Sequence, residues 1–466
     1  MSERPNILFI MADDHAVNAT GCYGSEINET PNIDRIGDEG VKFENSFVTN
    51  SICAPSRATI LTGKHSHLNG VKSFSDFDRD QQHVGKLLQK AGYKTAVIGK
   101  WHLQTKPSGF DYFKLLPGQG RYVNPRFKEK GEGWQDGEGG GREYKGYVTD
   151  LITDFSLGWI DKQSDNSEPF FLMCHHKAPH RPWVPDEEHE DLYSEKEIPQ
   201  PENFNDKYET RASAAGAARM RVVEDLTERD LKQTPPPDLS DEELDNWKYQ
   251  RYIKDYLRCV ASIDDNVGRT LDYLKEVGLD ENTLVIYTSD QGFFLGEHGW
   301  FDKRFMYEES LQAPLVVKYP TEIEPGSSID EIALNLDFAP TFLDFAGAEI
   351  PNDMQGQTLR PLLAGDTPKD WRTDFYYRYW LHLADHGVYA HYGLRTKRYK
   401  LIYYYAEALG TEGAIDDPKE PEWELFDLKN DPLEMNNVYN NPEYSEKVRE
   451  LKQKLNRAKQ EAKDFE

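Results

Sequence analysis

Short apolar runs bounded by turn-forming residues recur along the chain. The clearest of them occupy residues 7–11, 95–98, 170–174, 284–288 and 315–318. Runs of this length, apolar at nearly every position, are typical of strands that are buried on both faces, as in a parallel sheet. The pattern therefore predicts a buried, mainly parallel sheet.

Helical patterns lie between these runs. Residues 84–91 form one, and residues 256–277 form a longer one that Gly278 ends. Its apolar positions recur at helical spacing: Tyr256, Leu257, Val260, Ile263, Val267, Leu271 and Leu274. Because strands alternate with helices, we expect an α/β fold. Residues 187–245 are polar and contain three consecutive prolines, so we expect an irregular excursion with some helix there.

The pattern changes around residues 364–372. Aromatic, strand-like segments follow at 375–380, 393–395 and 399–405, and a helical stretch at 443–463 closes the chain. This order favours a smaller C-terminal α+β subdomain with an antiparallel sheet and a terminal helix. We therefore divide the chain into a main domain, residues 1–366, and a C-terminal subdomain, residues 367–466.

The charge balance of the chain is strongly negative. Its 466 residues include 55 lysines and arginines against 82 aspartates and glutamates, a formal net charge of −27. A nucleic-acid partner is disfavoured, because phosphate binding requires a basic surface. An anionic substrate is not excluded, since salt screens the negative envelope beyond roughly 8–10 Å and a local cationic pocket can dominate within that range.

The cysteines and the N-terminal segment say little about the cellular compartment. Cys22, Cys53, Cys174 and Cys259 stand alone, so neither a zinc knuckle nor a dense disulfide framework is indicated. The chain as given shows no signal peptide and no apolar run long enough to span a membrane. A cytoplasmic protein and an exported protein whose signal had been removed would look the same, so the localisation stays unknown.

Acidic side chains follow two of the predicted strands. Asp13 and Asp14 come after the run at 7–11, and Asp290 and Gln291 come after the run at 284–288. Two adjacent carboxylates repel each other, and a divalent cation relieves that cost. The carboxyl ends of parallel strands meet at one edge of a sheet, where α/β enzymes bind their ligands. The sequence therefore predicts a site for a hard cation at this edge.

Basic side chains follow strands on the same predicted edge. Lys100 and His102 come after the run at 95–98, His180 follows the run at 170–174, and Lys303 follows a glycine-rich turn at 296–299. A single lysine or histidine on a loop is usually only a solvated side chain. The occurrence of several such residues at one predicted edge favours a functional role for them. Together they would form a cationic cup beside the carboxylates.

The most specific motif is Cys53-Ala54-Pro55-Ser56-Arg57, followed by Leu61-Thr62-Gly63. With the strand-end groups above, in the same order over most of the chain, it resembles the type I sulfatases of the alkaline phosphatase superfamily. The resemblance implies their fold, a large, mostly parallel sheet between helices with a smaller C-terminal subdomain. Residues 1–366 are then the catalytic domain.

The resemblance also implies how the reaction proceeds. A formylglycine-generating enzyme would oxidise Cys53 to an aldehyde, whose hydrate carries two hydroxyl groups. One hydroxyl would attack sulfur and expel the alcohol, and the other would then collapse to the aldehyde and expel sulfate. The family's metal ligands map onto Asp13, Asp14, Cys53, Asp290 and Gln291. One calcium ion fits these oxygen ligands, because calcium tolerates irregular coordination by about six to eight oxygens.

The remaining catalytic roles are carried over by the same resemblance. Arg57 would orient the formylglycine hydrate, Lys100 and His180 would bind sulfate oxygens, and His102 would take the proton from the second hydroxyl. Either His180 or Lys303 would protonate the leaving alcohol, and the sequence leaves this choice open.

The sugar is indicated less specifically. The segments at 175–183, 289–307 and 425–437 resemble bacterial sulfatases that act on glycans, above all the N-acetylglucosamine-6-O-sulfatases. We therefore expect a 6-O-sulfated N-acetylglucosamine or a related sulfated sugar at a chain end. In this branch the C-terminal subdomain lends residues to the rim of the pocket, for which His382, His386, His391 and Tyr392 are the candidates.

Three alternatives stay open at this stage. A phosphonate or phosphate monoester hydrolase could use the same fold, since fold alone does not fix the reaction. The substrate could also be a marine-type polysaccharide or another sulfate ester. A glycan-binding protein with a vestigial site is a third reading, although no metal ligand or cationic group is missing.

Overall fold

The computed structural model describes residues 4–466 except residues 136, 138 and 165. The strands in chain order are β1 (Asn6–Ala12), β2 (Val41–Phe43), β3 (Ser46–Phe47), β4 (Lys94–Lys100), β5 (Tyr112–Leu116), β6 (Arg126–Glu129), β7 (Arg142–Glu143), β8 (Phe170–His175), β9 (Thr283–Ser289), β10 (Phe294–Leu295), β11 (Phe301–Asp302), β12 (Leu315–Lys318), β13 (Ser327–Ile329), β14 (Ala333–Leu334), β15 (Asp374–Tyr379), β16 (His391–Thr396), β17 (Tyr399–Tyr404) and β18 (Glu422–Asp427).

Helices flank and connect these strands. In chain order they are α1 (Pro31–Asp38), α2 (Cys53–Thr62), α3 (Ser66–Asn69), α4 (Val84–Lys90), α5 (Val148–Ser164), α6 (Ser213–Ala217), α7 (Val222–Asp225), α8 (Glu228–Leu231), α9 (Asp241–Glu276), α10 (Glu308–Leu311), α11 (Phe338–Phe345), α12 (Arg360–Leu363) and α13 (Ser445–Glu461). The long α9 begins at a capping box in which Ser240 and Glu243 bond each other's backbone.

A sheet of ten strands forms the centre of the molecule, in the order β13-β2-β12-β9-β1-β8-β4-β5-β6-β7. Its five middle strands, from β9 to β5, all run parallel. β12 runs antiparallel to them at one side, and β6 does so at the other. β2 pairs antiparallel with β12 and β7 with β6, so these two strands again run in the direction of the middle strands. The carboxyl ends of β9, β1, β8 and β4 therefore lie side by side.

The central sheet is covered on both faces. Alternate residues of β1 enter two different hydrophobic clusters, with Leu8 and Ile10 on one face and Ile7 and Phe9 on the other. This division follows from the two-residue period of a strand. It explains why β1 is apolar at every position from Ile7 to Ala12, as the sequence pattern indicated.

A second sheet of four antiparallel strands, β15-β16-β17-β18, lies in the C-terminal part of the chain. One of its faces packs into the main core through residues such as Tyr377 and Phe426. The other face packs against α13, where Leu394 and Leu401 meet Leu451. The subdomain therefore shares a continuous core with the main sheet.

The predicted fold class is confirmed, with differences in detail. The run at 315–318 is a buried strand, but β12 is antiparallel to its neighbours. The predicted helix at 256–277 is the second half of α9, which starts at Asp241. The boundary at residue 366 remains a prediction. Among the described residues, no helix combines the length and the apolar character that a membrane span requires.

Candidate active site

The ends of three parallel strands carry polar residues of the candidate site. β1 leads into Asp13 and Asp14, β9 leads into Asp290, and β4 ends at Lys100 and continues to His102. All these side chains are at least nine-tenths buried. The convergence that the sequence predicted at one edge of the sheet is therefore what the structure has.

Helix α2 brings Cys53 to the same place. Cys53 is the first residue of the helix and is 1% exposed. The hydroxyl of Ser56 donates a hydrogen bond to the backbone carbonyl of Asp290, which ties the helix to the end of β9. Gly63 ends the helix in the left-handed conformation, with φ of 64°. The cysteine thus lies at the positive end of a helix dipole, which favours a negatively charged ligand.

Three carboxylates and one amide lie together beneath Cys53. The backbone N–H of Asp14 donates to Oδ1 of Asp290 at 3.2 Å, and Nε2 of Gln291 donates to the same oxygen at 2.7 Å. Among the described residues, Oδ1 of Asp13 and Oε1 of Gln291 are buried oxygens without a hydrogen-bond partner. Buried acceptors of this kind normally have partners, so the arrangement fits an additional cation.

The charge distribution among these carboxylates supports the same fit. Burial, opposed by Lys303 and reinforced by Asp13, raises the pKa of Asp14 to about 6. Burial and the charge of Asp13 raise the pKa of Asp290 to about 7. The raised pKa values mean that the charged form of these carboxylates is unfavourable in the absence of a cation. A divalent cation such as calcium, which prefers hard oxygen ligands, would stabilise that form.

His180 also lies at this cluster. Its possible ligand nitrogen and oxygens of Asp13 and Asp14 all lie within 4.8 Å of one another. We favour the oxygen set of Asp13, Asp14, Asp290 and Gln291 over one that includes His180, because a hard cation prefers oxygen ligands. A half turn of the Gln291 amide exchanges its oxygen and nitrogen, so the oxygen can face the carboxylates.

Three cationic side chains surround the carboxylates. Arg57 donates through Nε and Nη2 to Oδ2 of Asp290 at 3.0 and 2.8 Å. Nζ of Lys303 contacts both carboxylate oxygens of Asp14 at 2.6 and 2.7 Å. Lys100 forms a buried ion pair with Asp13. Burial opposes the charge of Lys303, but Asp14 outweighs it and raises the pKa of the ammonium group.

Two histidines face the site in their neutral form. Burial, followed by the charge of Lys100, lowers the pKa of His102 and of His180 well below the ordinary value. Nδ1 of His102 lies 3.1 Å from Sγ of Cys53. Nδ1 of His180 lies 2.8 Å from the carbonyl oxygen of Arg181, so this nitrogen carries the hydrogen and Nε2 keeps its lone pair.

A cleft of about 340 Å³ opens above Cys53. The residues that line it come from the start of α2, from the loop after α3, from the ends of β5, β8 and β11 with the loops that follow them, and from the loop after β15. They are Cys53, Phe74, Gln119, His180, Arg181, Asp302, Lys303, Arg304, Asp385 and His386. A larger surface cleft, of about 940 Å³, shares no residue with it and carries acidic groups such as Glu197 and Asp245, which would repel an anionic substrate.

The sequence prediction missed several of the polar residues that line the cleft. Asp302 and Arg304 flank the predicted Lys303, and both have positive φ, at 75° and 94°. Such backbone conformations are uncommon for residues other than glycine and often mark functional sites. Nε of Arg304 donates to Oδ1 of Asp302 at 3.0 Å, while Nη1 of Arg304 has no hydrogen-bond partner among the described residues.

Of the four rim candidates from the C-terminal subdomain, only His386 lines the cleft. His382 is buried and contacts the carbonyl oxygen of Asp417. His391 is buried among aromatic rings, and Tyr392 packs on the opposite face of the sheet. These three residues do not line the cleft: His391 and Tyr392 are neighbours in β16 and so point to its two opposite faces, and His382 is turned inward from the loop after β15.

Two family models cover almost the whole chain. The model described as sulfatase matches residues 5–348, and the model described as the C-terminal part of N-sulphoglucosamine sulphohydrolase matches residues 296–461. The chain is also 44% identical to an N-acetylglucosamine-6-O-sulfatase of Bacteroides thetaiotaomicron, over 99% of this chain and 88% of the relative.

Solved structures give the same picture. One of them, a protein in complex with its substrate D-glucosamine-2-N,6-O-disulfate, has a TM-score of 0.92 and 44% identity, and 99% of each chain is covered. A phosphonate monoester hydrolase from Silicibacter pomeroyi has a TM-score of 0.77 at 21% identity, with 99% of this chain and 96% of that chain covered. The second likeness extends to the fold alone.

Proposed function

This chain belongs to the sulfatase family, and from that premise we propose that it releases the 6-O-sulfate of a glucosamine unit in a sulfated glycan. The general reaction, hydrolysis of a sulfate ester on a carbohydrate, follows from the family. The sugar, the sulfate position, the cofactors and the roles of the residues are our proposal. One observation carries it: Cys53, in its modification motif, lies at the floor of a cleft between buried carboxylates and buried cations.

We propose that Asp13, Asp14, Asp290 and Gln291 hold one calcium ion together with the modified side chain of Cys53. The two buried oxygens without partners and the raised pKa values of Asp14 and Asp290 support this ligand set. Calcium would supply positive charge next to the nucleophile and the sulfate. Maturation would require a formylglycine-generating enzyme as a partner, and the aldehyde hydrate would supply the attacking hydroxyl.

The basic residues around Cys53 would bind and polarise the substrate. A sulfate monoester carries negative charge on the oxygens that surround sulfur, so fixed cations are needed to bring a nucleophile close. Lys100 and Lys303 have buried ammonium groups at the carboxylate cluster. Arg57 is fixed by Asp290 and by the carbonyl oxygen of Lys100, at 2.8 Å from Nη1, and can hold a hydroxyl on the Cys53 side chain in one orientation.

His102 is placed to act as a base. It is neutral, it lies within contact distance of Sγ of Cys53, and it also lies in the left-handed backbone region at φ of 53°. A neutral imidazole next to the nucleophile can take a proton from a hydroxyl group during release of sulfate.

His180 and Lys303 are the two candidates for the acid that protonates the leaving alcohol. Lys303 stays protonated in this arrangement, because Asp14 raises the pKa of its ammonium group. His180 is neutral but lines the cleft with Nε2 3.8 Å from Oδ2 of Asp14, so a bound anion would favour its protonation. The choice is left to the experiment in the Discussion.

The cleft would recognise the sugar with groups beyond the sulfate. A volume of about 340 Å³ is at the small end of ligand sites, roughly 300–1,000 Å³, and suits one terminal sugar unit. Arg304 and Gln119 line it, and each has a buried polar atom, Nη1 and Oε1 respectively, without a hydrogen-bond partner among the described residues. A sugar hydroxyl can satisfy both kinds of group, and an isomer that leaves them unpaired would be rejected.

A phosphonate or phosphate monoester hydrolase is the weaker alternative. Its support is a fold-level likeness at 21% identity, whereas the relative with sulfatase activity in its name shares 44% of its residues over nearly the full length. A panel of defined substrates tests the proposal: 6-O-sulfated N-acetylglucosamine, glucosamine-2-N,6-O-disulfate, sulfated galactose, fucose and uronic acid, and matched phosphate esters. Faster release of sulfate from a sugar other than glucosamine would overturn the sugar assignment, and faster release of phosphate would overturn the reaction.

A further inference from the structure

Four aromatic side chains form a row across the C-terminal sheet, on the face that carries α13. Tyr392, Tyr403 and Trp423 are direct cross-strand neighbours on β16, β17 and β18, and Tyr439 continues the row. The ring centroids of Tyr403 and Trp423 lie 4.4 Å apart, and those of Trp423 and Tyr439 lie 5.6 Å apart with parallel planes. All four side chains are partly exposed, so α13 does not cover them completely. We call them the aromatic row.

Helix α13 is basic in a strongly acidic chain. It carries six basic and three acidic residues, whereas the net charge of the chain is −27. Arg449, Lys452 and Lys459 follow each other at helical spacings of three and seven residues and therefore share one side of the helix. We call these three residues the basic flank.

The basic flank lies directly over the aromatic row. Nζ of Lys452 lies 4.0 Å from the ring centroid of Trp423 and donates to the hydroxyl of Tyr439 at 2.6 Å. Nζ of Lys459 lies 4.5 Å from the ring centroid of Tyr392. Ammonium groups and aromatic rings attract each other in this geometry, so the two sets of side chains form one continuous surface.

Among the described residues, no acidic side chain forms an ion pair with the basic flank, although Nζ of Lys459 donates to the main-chain oxygen of Glu466 at 2.5 Å. The lysines on the other side of α13 are paired, Lys447 with Glu450 at 2.5 Å and Lys454 with Asp374 at 3.7 Å. The basic flank therefore keeps positive charge that no acidic side chain neutralises.

The nearest carboxylates already have other partners. Asp464 accepts two hydrogen bonds from Nη1 of Arg378, both at 2.6 Å, and one from the hydroxyl of Tyr376. Glu466 pairs with Lys72 at 2.8 Å. These pairings lower the negative potential that would otherwise oppose an anion near Lys459.

One short segment of chain connects this surface to the catalytic cleft, although Tyr392 itself lies on the opposite face of the sheet. Tyr392 is on β16, directly after the loop that connects β15 to β16, and this loop supplies Asp385 and His386 to the cleft. The hydroxyl groups of Tyr392 and Tyr403 make no side-chain hydrogen bond among the described residues, which leaves them available to sugar hydroxyls.

We propose that the aromatic row and the basic flank form a non-catalytic binding site for the part of a sulfated glycan chain that lies outside the cleft. The parts of the rings that their stacked neighbours and the lysines leave exposed can pack against the apolar C–H surface of sugar rings. Lysine and arginine form charge-assisted hydrogen bonds with the anionic groups. The inference rests on the proposed function, because it takes the same polyanionic substrate as its ligand.

The test measures binding of heparin, a polysulfated glucosamine-containing polysaccharide, to the full chain in a Cys53→Ala background, so that no sulfate is released during the measurement. The double variant Lys452→Gln/Lys459→Gln should bind heparin roughly tenfold more weakly, since each removed charge near a polyanion lowers affinity several-fold. Its affinity should also depend less steeply on salt concentration. The matched control, Lys447→Gln/Lys454→Gln, removes the same charge from the same helix and should bind like the parent.

The outcomes separate the two proposals. An equal loss of affinity in both double variants, or parental affinity in Lys452→Gln/Lys459→Gln, would overturn the binding site. Thermal unfolding shows whether Lys452→Gln/Lys459→Gln is folded. If it is not, heparin affinity is measured instead on the exposed single variant Arg449→Gln, which should also bind more weakly than the parent. If the chain with Cys53 restored fails to hydrolyse 6-O-sulfated N-acetylglucosamine, the proposed function fails, whatever the heparin result.

Discussion

Sγ of Cys53 lies 3.1 Å from Nδ1 of His102. Because burial keeps the imidazole neutral, we expect His102 to accept a proton and not to bind the sugar. The variant His102→Ala should lose about a hundredfold or more in kcat, the size of a general base contribution, with a smaller change in KM. Steady-state kinetics on 6-O-sulfated N-acetylglucosamine measures both constants. An unchanged kcat would remove His102 from the reaction.

Replacement of the nucleophile precursor gives a second prediction. Cys53→Ala should fold, because the side chain is small and the loss of one sulfur atom leaves α2 intact, but turnover should fall by several orders of magnitude. The mass of the peptide that spans residue 53 should show an aldehyde in the active parent enzyme. An active parent whose peptide carries only the thiol would contradict the formylglycine proposal.

Removal of the metal should make stability depend on pH. The pKa values of Asp14 and Asp290 are raised from 3.8 to about 6 and about 7 in the folded chain. A carboxyl group with a raised folded pKa contributes stability below its unfolded pKa and loses that contribution as the pH rises through the folded pKa. The pKa of Asp13 is shifted in the opposite direction, below its ordinary value, so the contribution of Asp13 to stability is constant above about pH 4.

The lowered pKa values of His102 and His180 act in the opposite sense below about pH 6.5. The comparison is therefore with the chelated Asp290→Asn variant, whose Tm should fall less than that of the chelated parent, or rise more, between about pH 5 and about pH 8. Calcium should raise the Tm most at the higher pH, because the ligands are then charged, and zinc should do so less well. The check is a series of thermal unfolding curves with chelator, calcium or zinc. An equal change of Tm with pH in the chelated parent and in chelated Asp290→Asn would show that the raised pKa of Asp290 is wrong.

The identity of the leaving-group acid can be read from the substrate. A sugar alcohol leaves poorly without a proton, whereas 4-nitrophenolate leaves readily. The variant that lacks the acid, His180→Ala or Lys303→Ala, should lose much more activity on the sugar sulfate than on 4-nitrophenyl sulfate. The variant that lacks only a sulfate-binding group should lose activity on both substrates equally. If each variant loses the same factor of activity on both substrates, neither residue is the acid.

Arg304 should determine sugar specificity. Arg304 lines the cleft, and its buried Nη1 has no hydrogen-bond partner in the described part of the chain, so we expect it to bind a sugar hydroxyl. Arg304→Ala should lower kcat/KM on the sugar by about ten- to a hundredfold, the cost of a buried charged hydrogen bond, and should change activity on 4-nitrophenyl sulfate far less. An equal loss on both substrates would indicate a general defect in the loop.

The strand-end residues could be predicted from the sequence because each directly follows a buried apolar run. Asp13, Lys100 and Asp290 needed only the inference that parallel strands end at one edge. The direction of β12 could not be predicted, because the path of the connecting chain determines it and the composition of the strand does not. The start of α9 was missed because its first turns, from Asp241, are polar and lack the apolar repeat.

The wall of the cleft was harder to predict. Asp302 and Arg304 are adjacent to Lys303 in sequence, and this proximity was the available signal. Asp385 and His386 reach the cleft from another part of the chain, through contacts such as Nε2 of His386 at 3.4 Å from Oδ2 of Asp302. Tertiary packing of this kind leaves no periodic pattern in the sequence.

The contact between His386 and Asp302 joins two regions of the chain that have different proposed roles. The proposed chemistry uses residues up to Lys303, while the loop after β15 contributes only to the wall around the sugar. Mutations in that loop can therefore change which sugar is accepted without disturbing the groups that act on sulfur. During evolution, gene duplicates of such a protein could diverge toward new glycans by altering one short loop, and each intermediate would still be a working enzyme.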